Sequence, residues 1–147
     1  MRIVLIIAAA LLLTACDTAK GPQQTATASL DVLRGQWVVI NYWARWCKPC
    51  VKEIPELNKL DQKHADVTVL GVNYDGATGD DLAAQLAEFT VEFANLEADP
   101  AARLGVPRPV VLPTTLVLDK AGRVVDTLVG PQTLASLEAA TIGRSDN

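Results

Sequence analysis

The sequence predicts an α/β domain, a central mixed sheet of four to five strands flanked by helices. Three observations predict it. Two strongly apolar runs, Trp37–Trp43 and Val67–Asn73, bracket a helical pattern long enough to cross over, which implies a right-handed parallel β-α-β unit. Thr114–Leu118 and Arg123–Leu128 flank the hairpin-type turn Asp119-Lys120-Ala121-Gly122, so another part of the sheet is antiparallel. Third, Cys47 and Cys50 stand where the first apolar run gives way to the helical pattern.

In chain order, the first stretch reads as an address. Arg2 is a short positive region, and Ile3–Leu13 is an apolar run of 11 residues, too short for an ordinary spanning helix and suited to a signal peptide. It ends in Leu13-Thr14-Ala15-Cys16, which resembles a bacterial lipoprotein signal. That resemblance implies cleavage before Cys16 and lipid on its sulfur. The plainer alternative is a secreted protein with an unpaired Cys16. Three cysteines are odd for a protein outside the cytosol, and lipidating Cys16 leaves one pair. The expected division is a signal at 1–15, a lipidated cysteine and flexible tether at 16–28, and the folded domain at 29–147. Residues 17–28 carry no apolar periodicity and, fully extended, span on the order of 40 Å.

The formal net charge of the 147-residue chain is −4, and removing residues 1–15 takes away Arg2 and leaves −5. No basic run appears, so nucleic acid is not an expected partner. There is no phosphate-binding glycine loop, and no cofactor or metal is called for.

Within the domain, Ser29–Leu33 reads as an edge strand or a turn. Trp37–Trp43 is apolar on both faces, as a central covered strand should be, with Asn41 its polar exception. Pro49–His64 reads as a helix with Cys50, Ile54, Leu57 and Leu60 on one stripe, Pro49 in a first turn and a kink near the interior Pro55. Leu82, Leu86 and Phe89 share a face of a second helix, Phe93–Leu96 reads as a short strand, and Asp99–Gly105 as a helical turn. Val106-Pro107-Arg108-Pro109 is a rigid approach to Pro113. Thr133–Thr141 closes the domain with a helix that turns Leu134, Leu137 and Ile142 inward.

A C-x-x-C at a strand-to-helix junction carries the chemistry. The first sulfur meets the free N–H groups of a helix start, where aligned dipoles favour negative charge and raise the thiolate fraction of Cys47. Lys48 adds a positive charge between the cysteines. A structural disulfide or half a zinc site is the plainer reading. Zinc normally takes four ligands, and the remaining cysteine and the single histidine, His64, supply no second half at usable spacing.

The motifs resemble a known family. Trp43-Ala44-Arg45-Trp46-Cys47-Lys48-Pro49-Cys50 resembles the thioredoxin W-A-x-W-C-x-P-C signature, and Leu112-Pro113-Thr114-Thr115 resembles the loop that faces the cysteines, where the family's proline is cis. Asn41 stands where a thioredoxin proper has a buried acid. Glu53-Ile54-Pro55-Glu56-Leu57 resembles E-x-P-x-L after the active site. With the secretion signal, these features look like the membrane-anchored TlpA/ResA group of extracytoplasmic thiol-disulfide oxidoreductases, several of them reductants in cytochrome c maturation. The likeness spans residues 29–142. The loop Val106–Pro113 departs from it by its length.

The resemblance implies a thioredoxin fold and assigns roles. Cys47 attacks a partner disulfide, Cys50 resolves the mixed disulfide, and the chain is left with a Cys47–Cys50 disulfide. Pro113 keeps the facing backbone open to a substrate strand, Trp46 flanks the groove, and Glu53 moves protons near Cys50, with Asn41 in support. Implied partners are protein disulfides, apocytochrome c among them, and a membrane electron donor. The implied location is the cell membrane, lipid-anchored through Cys16, facing the periplasm or cell exterior. The same chemistry run as an oxidant or isomerase is the alternative. A copper-site assembly factor on this fold would want a different cysteine spacing and a histidine near Pro113, whereas His64 lies on the first helix.

Overall fold

A computed structural model describes residues 30–144. The first described element is a 3₁₀ turn over Leu30–Leu33, not a strand. Then follow β1 (Trp37–Trp43), α1 (Lys48–Lys63), β2 (Val67–Asn73), α2 (Gly79–Glu88), β3 (Ala94–Asn95), β4 (Thr114–Leu118), β5 (Val124–Val129) and α3 (Leu134–Ala140). The strands form one mixed sheet in the order β3-β2-β1-β4-β5. β2 runs parallel to both β1 and β3, while β4 runs antiparallel to both β1 and β5. The parallel half follows from the crossover helix α1, and the antiparallel half from the tight turn between β4 and β5.

Every residue of β1 is buried, as befits the central strand. Its side chains alternate between two cores. Trp37, Val39 and Trp43 join Ile54, Leu57 and Leu60 of α1, Leu82 and Leu86 of α2, and Leu137 of α3. Val38, Ile40 and Tyr42 join Leu70, Val72, Leu116 and Leu118 on the opposite face. That second core is closed by turn and loop residues, among them Leu30, Leu33, Leu104 and Val106. Each fully buried aliphatic side chain contributes about 1.5–3 kcal/mol against exposure.

α1 runs from Lys48 to Lys63 with Pro55 inside it. His64 is its C-cap residue, and Nε2 lies 2.7 Å from Glu138 Oε1. One local reading differs from expectation. Ile142 is 39% exposed instead of inward-facing. α3 ends at Ala140 and Thr141 leaves helical geometry (φ −116°, ψ −100°), so the 3.6-residue step no longer carries to 142.

Candidate active site

β1 delivers the chain to the N-terminus of α1, and Cys47 occupies the N-cap. Its sulfur accepts from the Cys50 N–H at 3.3 Å, and the cysteines are joined by a disulfide with their Cα atoms 5.3 Å apart. Helix geometry dictates the closeness, since residues three apart lie on one face of a first turn. Cys47 keeps 4% exposure and Cys50 none. Lys48 and Pro49 are exposed beside them.

The Leu112–Pro113 peptide is cis. Leu112 packs against the core that contains both cysteines. The Pro113 carbonyl accepts from Gly130 N–H at 2.9 Å, which ties this loop to the end of β5. Trp46 is 63% exposed, and its indole N–H is shared between the Asp75 carboxylate oxygens at 3.0 and 3.2 Å. An open depression of about 870 Å³ lies on that flank, bordered by Arg45, Trp46, Asp75, Thr78 and Asp81.

Asn41 and Glu53 meet in the interior, which residues twelve apart on a strand and the following helix can do only through the fold. Asn41 is 0% and Glu53 2% exposed. Asn41 Nδ2 donates to Glu53 Oε1 at 2.6 Å and to Thr115 Oγ1 at 3.0 Å. Glu53 Oε2 accepts from the Gln132 N–H at 2.8 Å. Burial pushes the Glu53 carboxyl up from its ordinary range, while the Gln132 amide and Asn41 pull back toward ionisation. Asn41 Oδ1 is buried with no hydrogen-bond partner among the described residues. As oriented, the Asn41 amide gives both its donors away and its oxygen takes nothing. Turned over, it would offer Oδ1 to a protonated Glu53 and to the Thr115 hydroxyl.

Cys47, Cys50, Lys48, Trp46 and Pro113 thus lie around one end of the sheet, with Asn41 and Glu53 in its interior behind them. Cys16 lies outside the described residues. Sequence reasoning missed Thr115, Gln132 and Asp75. Thr115 lay inside the quoted P-T-T motif and faces Asn41 directly across the β1–β4 ladder. Gln132 acts through its backbone, which leaves no signature in residue type. Among the described residues, no three His, Cys, Asp or Glu side chains gather as a metal site, and no helix is long and apolar enough to cross a membrane.

A family model described as AhpC/TSA matches residues 13–127. The chain is 36% identical over 104 residues to the thiol:disulfide interchange protein HelX of Rhodobacter capsulatus, across 70% of this chain and 57% of HelX. It is 33% identical over 111 residues to the thiol-disulfide oxidoreductase ResA of Bacillus anthracis, across 74% of this chain and 64% of ResA. It thus spans about three-fifths of these relatives' length. Among solved structures it is similar to a candidate thiol:disulfide interchange protein DsbE from Chlorobium tepidum (TM-score 0.64, 31% identity, 81% of this chain and 86% of that one). It is also similar to a secreted thiol-disulfide isomerase from Corynebacterium glutamicum (TM-score 0.66, 27% identity, 78% and 73%).

Proposed function

The chain belongs to the AhpC/TSA family of thioredoxin-like proteins, in the company of ResA, HelX and DsbE, and from that premise we propose that it is an extracytoplasmic thiol-disulfide oxidoreductase that reduces disulfides in partner proteins. The observation that carries this reading is the Cys47–Cys50 disulfide at the start of α1, with Leu112 of the cis Leu112–Pro113 peptide packed against the core that contains both cysteines.

In the reduced chain, the Cys47 thiolate attacks one sulfur of a partner disulfide. An S–S bond forms between Cys47 and the partner, and the partner's other sulfur leaves as a thiolate. Cys50 then gives up its proton and attacks Cys47 Sγ, which breaks the mixed disulfide and releases the second partner thiol. Two electrons have passed to the partner, and the chain holds the Cys47–Cys50 disulfide. The N-cap position of Cys47 and the positive charge of Lys48 favour the thiolate. Glu53, drawn between burial and two N–H donors, is the group suited to take or return a proton behind the cysteines.

The domain starts near Ser29, behind a tether that begins with lipidated Cys16 and holds it at the membrane. A membrane electron donor re-reduces the pair, since the compartment is oxidising. Apocytochromes are the substrate class favoured by the likeness to ResA and HelX. The opposite direction, as oxidant or isomerase, uses the same sulfurs and is supported by the likeness to the secreted isomerase.

Trapping tests the reading. Cys50→Ser should leave partners covalently held on Cys47, released by reductant, and the wild type should reduce insulin. Capture of nothing together with no insulin reduction would sink it. A reduction potential measured against glutathione separates the two directions, with a value near or below that of thioredoxin expected for a reductant.

A further inference from the structure

Val110 and Val111 are 90% and 52% exposed at the tip of the loop that leads to Pro113. Val110 thus buries almost nothing within this chain, and Val111 only about half of its surface. The loop that carries them is nonetheless fixed. Arg108 donates through Nε to Asp99 Oδ2 and through Nη2 to the Tyr74 carbonyl, both at 2.7 Å. Its guanidinium carbon also lies 3.8 Å from the centre of the Tyr74 ring. The Tyr74 hydroxyl donates to the Pro109 carbonyl at 3.1 Å, and the Tyr42 hydroxyl steadies Asp99 at 2.7 Å. On the far side, Thr114 Oγ1 donates to the Val111 carbonyl at 2.8 Å, and Leu112 packs into the core. Pro107 and Pro109 restrict the backbone further.

We propose that Arg108 is a positioning residue that clamps this loop, so that Val110 and Val111 stand as a fixed apolar lip beside the reactive disulfide and select partner segments with an apolar residue next to the attacked cysteine. The inference rests on the function proposed above. Exchange requires a partner sulfur at Cys47, so a partner segment must cross this end of the sheet. Trp46 is tied to Asp75 at that end, and the loop that carries the lip is clamped to Tyr74, the residue before Asp75, so both adjoin the crossing. The Arg108 charge is matched by Asp99, 2.7 Å away, so the lip offers apolar contact without an unpaired cation. An apolar side chain on the partner gains from that contact, and a polar one does not.

The test oxidises the reduced full-length protein with symmetric peptide disulfides that differ only in Leu or Ser beside the cysteine. The concentration dependence of the rate separates half-saturation from limiting rate. The wild type should prefer the Leu peptide by about five- to tenfold. The V110S/V111S double variant should bring that preference to within about twofold. Arg108→Ala should raise half-saturation for the Leu peptide about threefold or more with its limiting rate held. Arg108→Lys should not rescue it, because an ammonium cannot reproduce the fork and the stacking. No preference in the wild type, an unchanged preference in the double variant, or unchanged half-saturation in Arg108→Ala would overturn the proposal. So would a wild-type dimer that the double variant abolishes, which assigns the lip to a second copy. Failure to react even with hydroxyethyl disulfide, which has no flanking residues, would sink the underlying function instead.

Discussion

Glu53 holds its carboxyl under opposed influences. Burial favours the protonated form, and the Gln132 N–H and Asn41 amide favour the ionised one, with burial the stronger. Its folded pKa is thus raised above the ordinary glutamate value of about 4.3. Between those two values the folded chain keeps a proton that the unfolded chain has lost, so this group's contribution falls as pH rises through that window. Gln at this position does not titrate. Denaturant unfolding should therefore show wild-type stability declining relative to Glu53→Gln from pH 4 to pH 8. Parallel profiles would mean that the carboxyl titrates in the fold as it does in the unfolded chain. How far such residues were legible depends on how local their role is. Cys47, Cys50 and Pro113 sit in short motifs whose spacing carries their meaning. Glu53 and Asn41 were visible as candidates, but their contact needs the β1–α1 geometry to bring them together. Asp75 meets Trp46 across 29 positions, and nothing in either local sequence announces the pair.

Among the elements, the parallel seam of β2 with β3 rests on a close approach. A Cβ built at Gly71 would lie 2.2 Å from Asn95 Oδ1 and 2.7 Å from its Cγ. That oxygen accepts from the buried Trp43 indole N–H at 2.9 Å, and Asn95 is itself 2% exposed. Gly71→Ala must push Asn95 aside and leave the indole donor unpaired in the core. Overpacking together with a lost buried hydrogen bond should destabilise the protein by about 3 kcal/mol in chemical denaturation. A loss under about 1 kcal/mol would show that β3 yields freely. The apolar run of β1, the apolar stripe of α1 and the turn between β4 and β5 were all readable, the first two from hydrophobic patterning over several residues and the third from its turn residues. β3 has only two residues, which lie inside the stretch Phe93–Leu96 read as a short strand, and it is held by pairing to β2. The extent of α3 matches the Thr133–Thr141 reading, with those two residues as its caps, but the helical period was carried one residue too far in turning Ile142 inward.

At the scale of the whole molecule, the two faces of the sheet are covered differently, and that bears on the proposed start of the domain. The side chains of α1, α2 and α3 all enter one core, while the other is closed by turns and loops. Leu30 and Leu33 belong to that second cover. The segment behind them is laced to the β4–β5 turn: Arg34 Nη1 donates to the Ala121 carbonyl at 2.7 Å, and the Gly35 N–H to the Lys120 carbonyl at 2.8 Å. If the domain starts near Ser29, a chain lacking residues 1–29 should melt within about 2 °C of the full chain, as changes outside packed structure do. A chain lacking residues 1–35 also loses two half-buried leucines and two hydrogen bonds, together about 2–4 kcal/mol. For a domain of this size that corresponds to a fall in Tm on the order of 10 °C or more. Equal melting of the two shortened chains would mean that the second core closes without Leu30 and Leu33. A large loss already in the first would place residues before Leu30 inside the folded unit, and the tether would then have to be shorter than the stretch from 16 to 28.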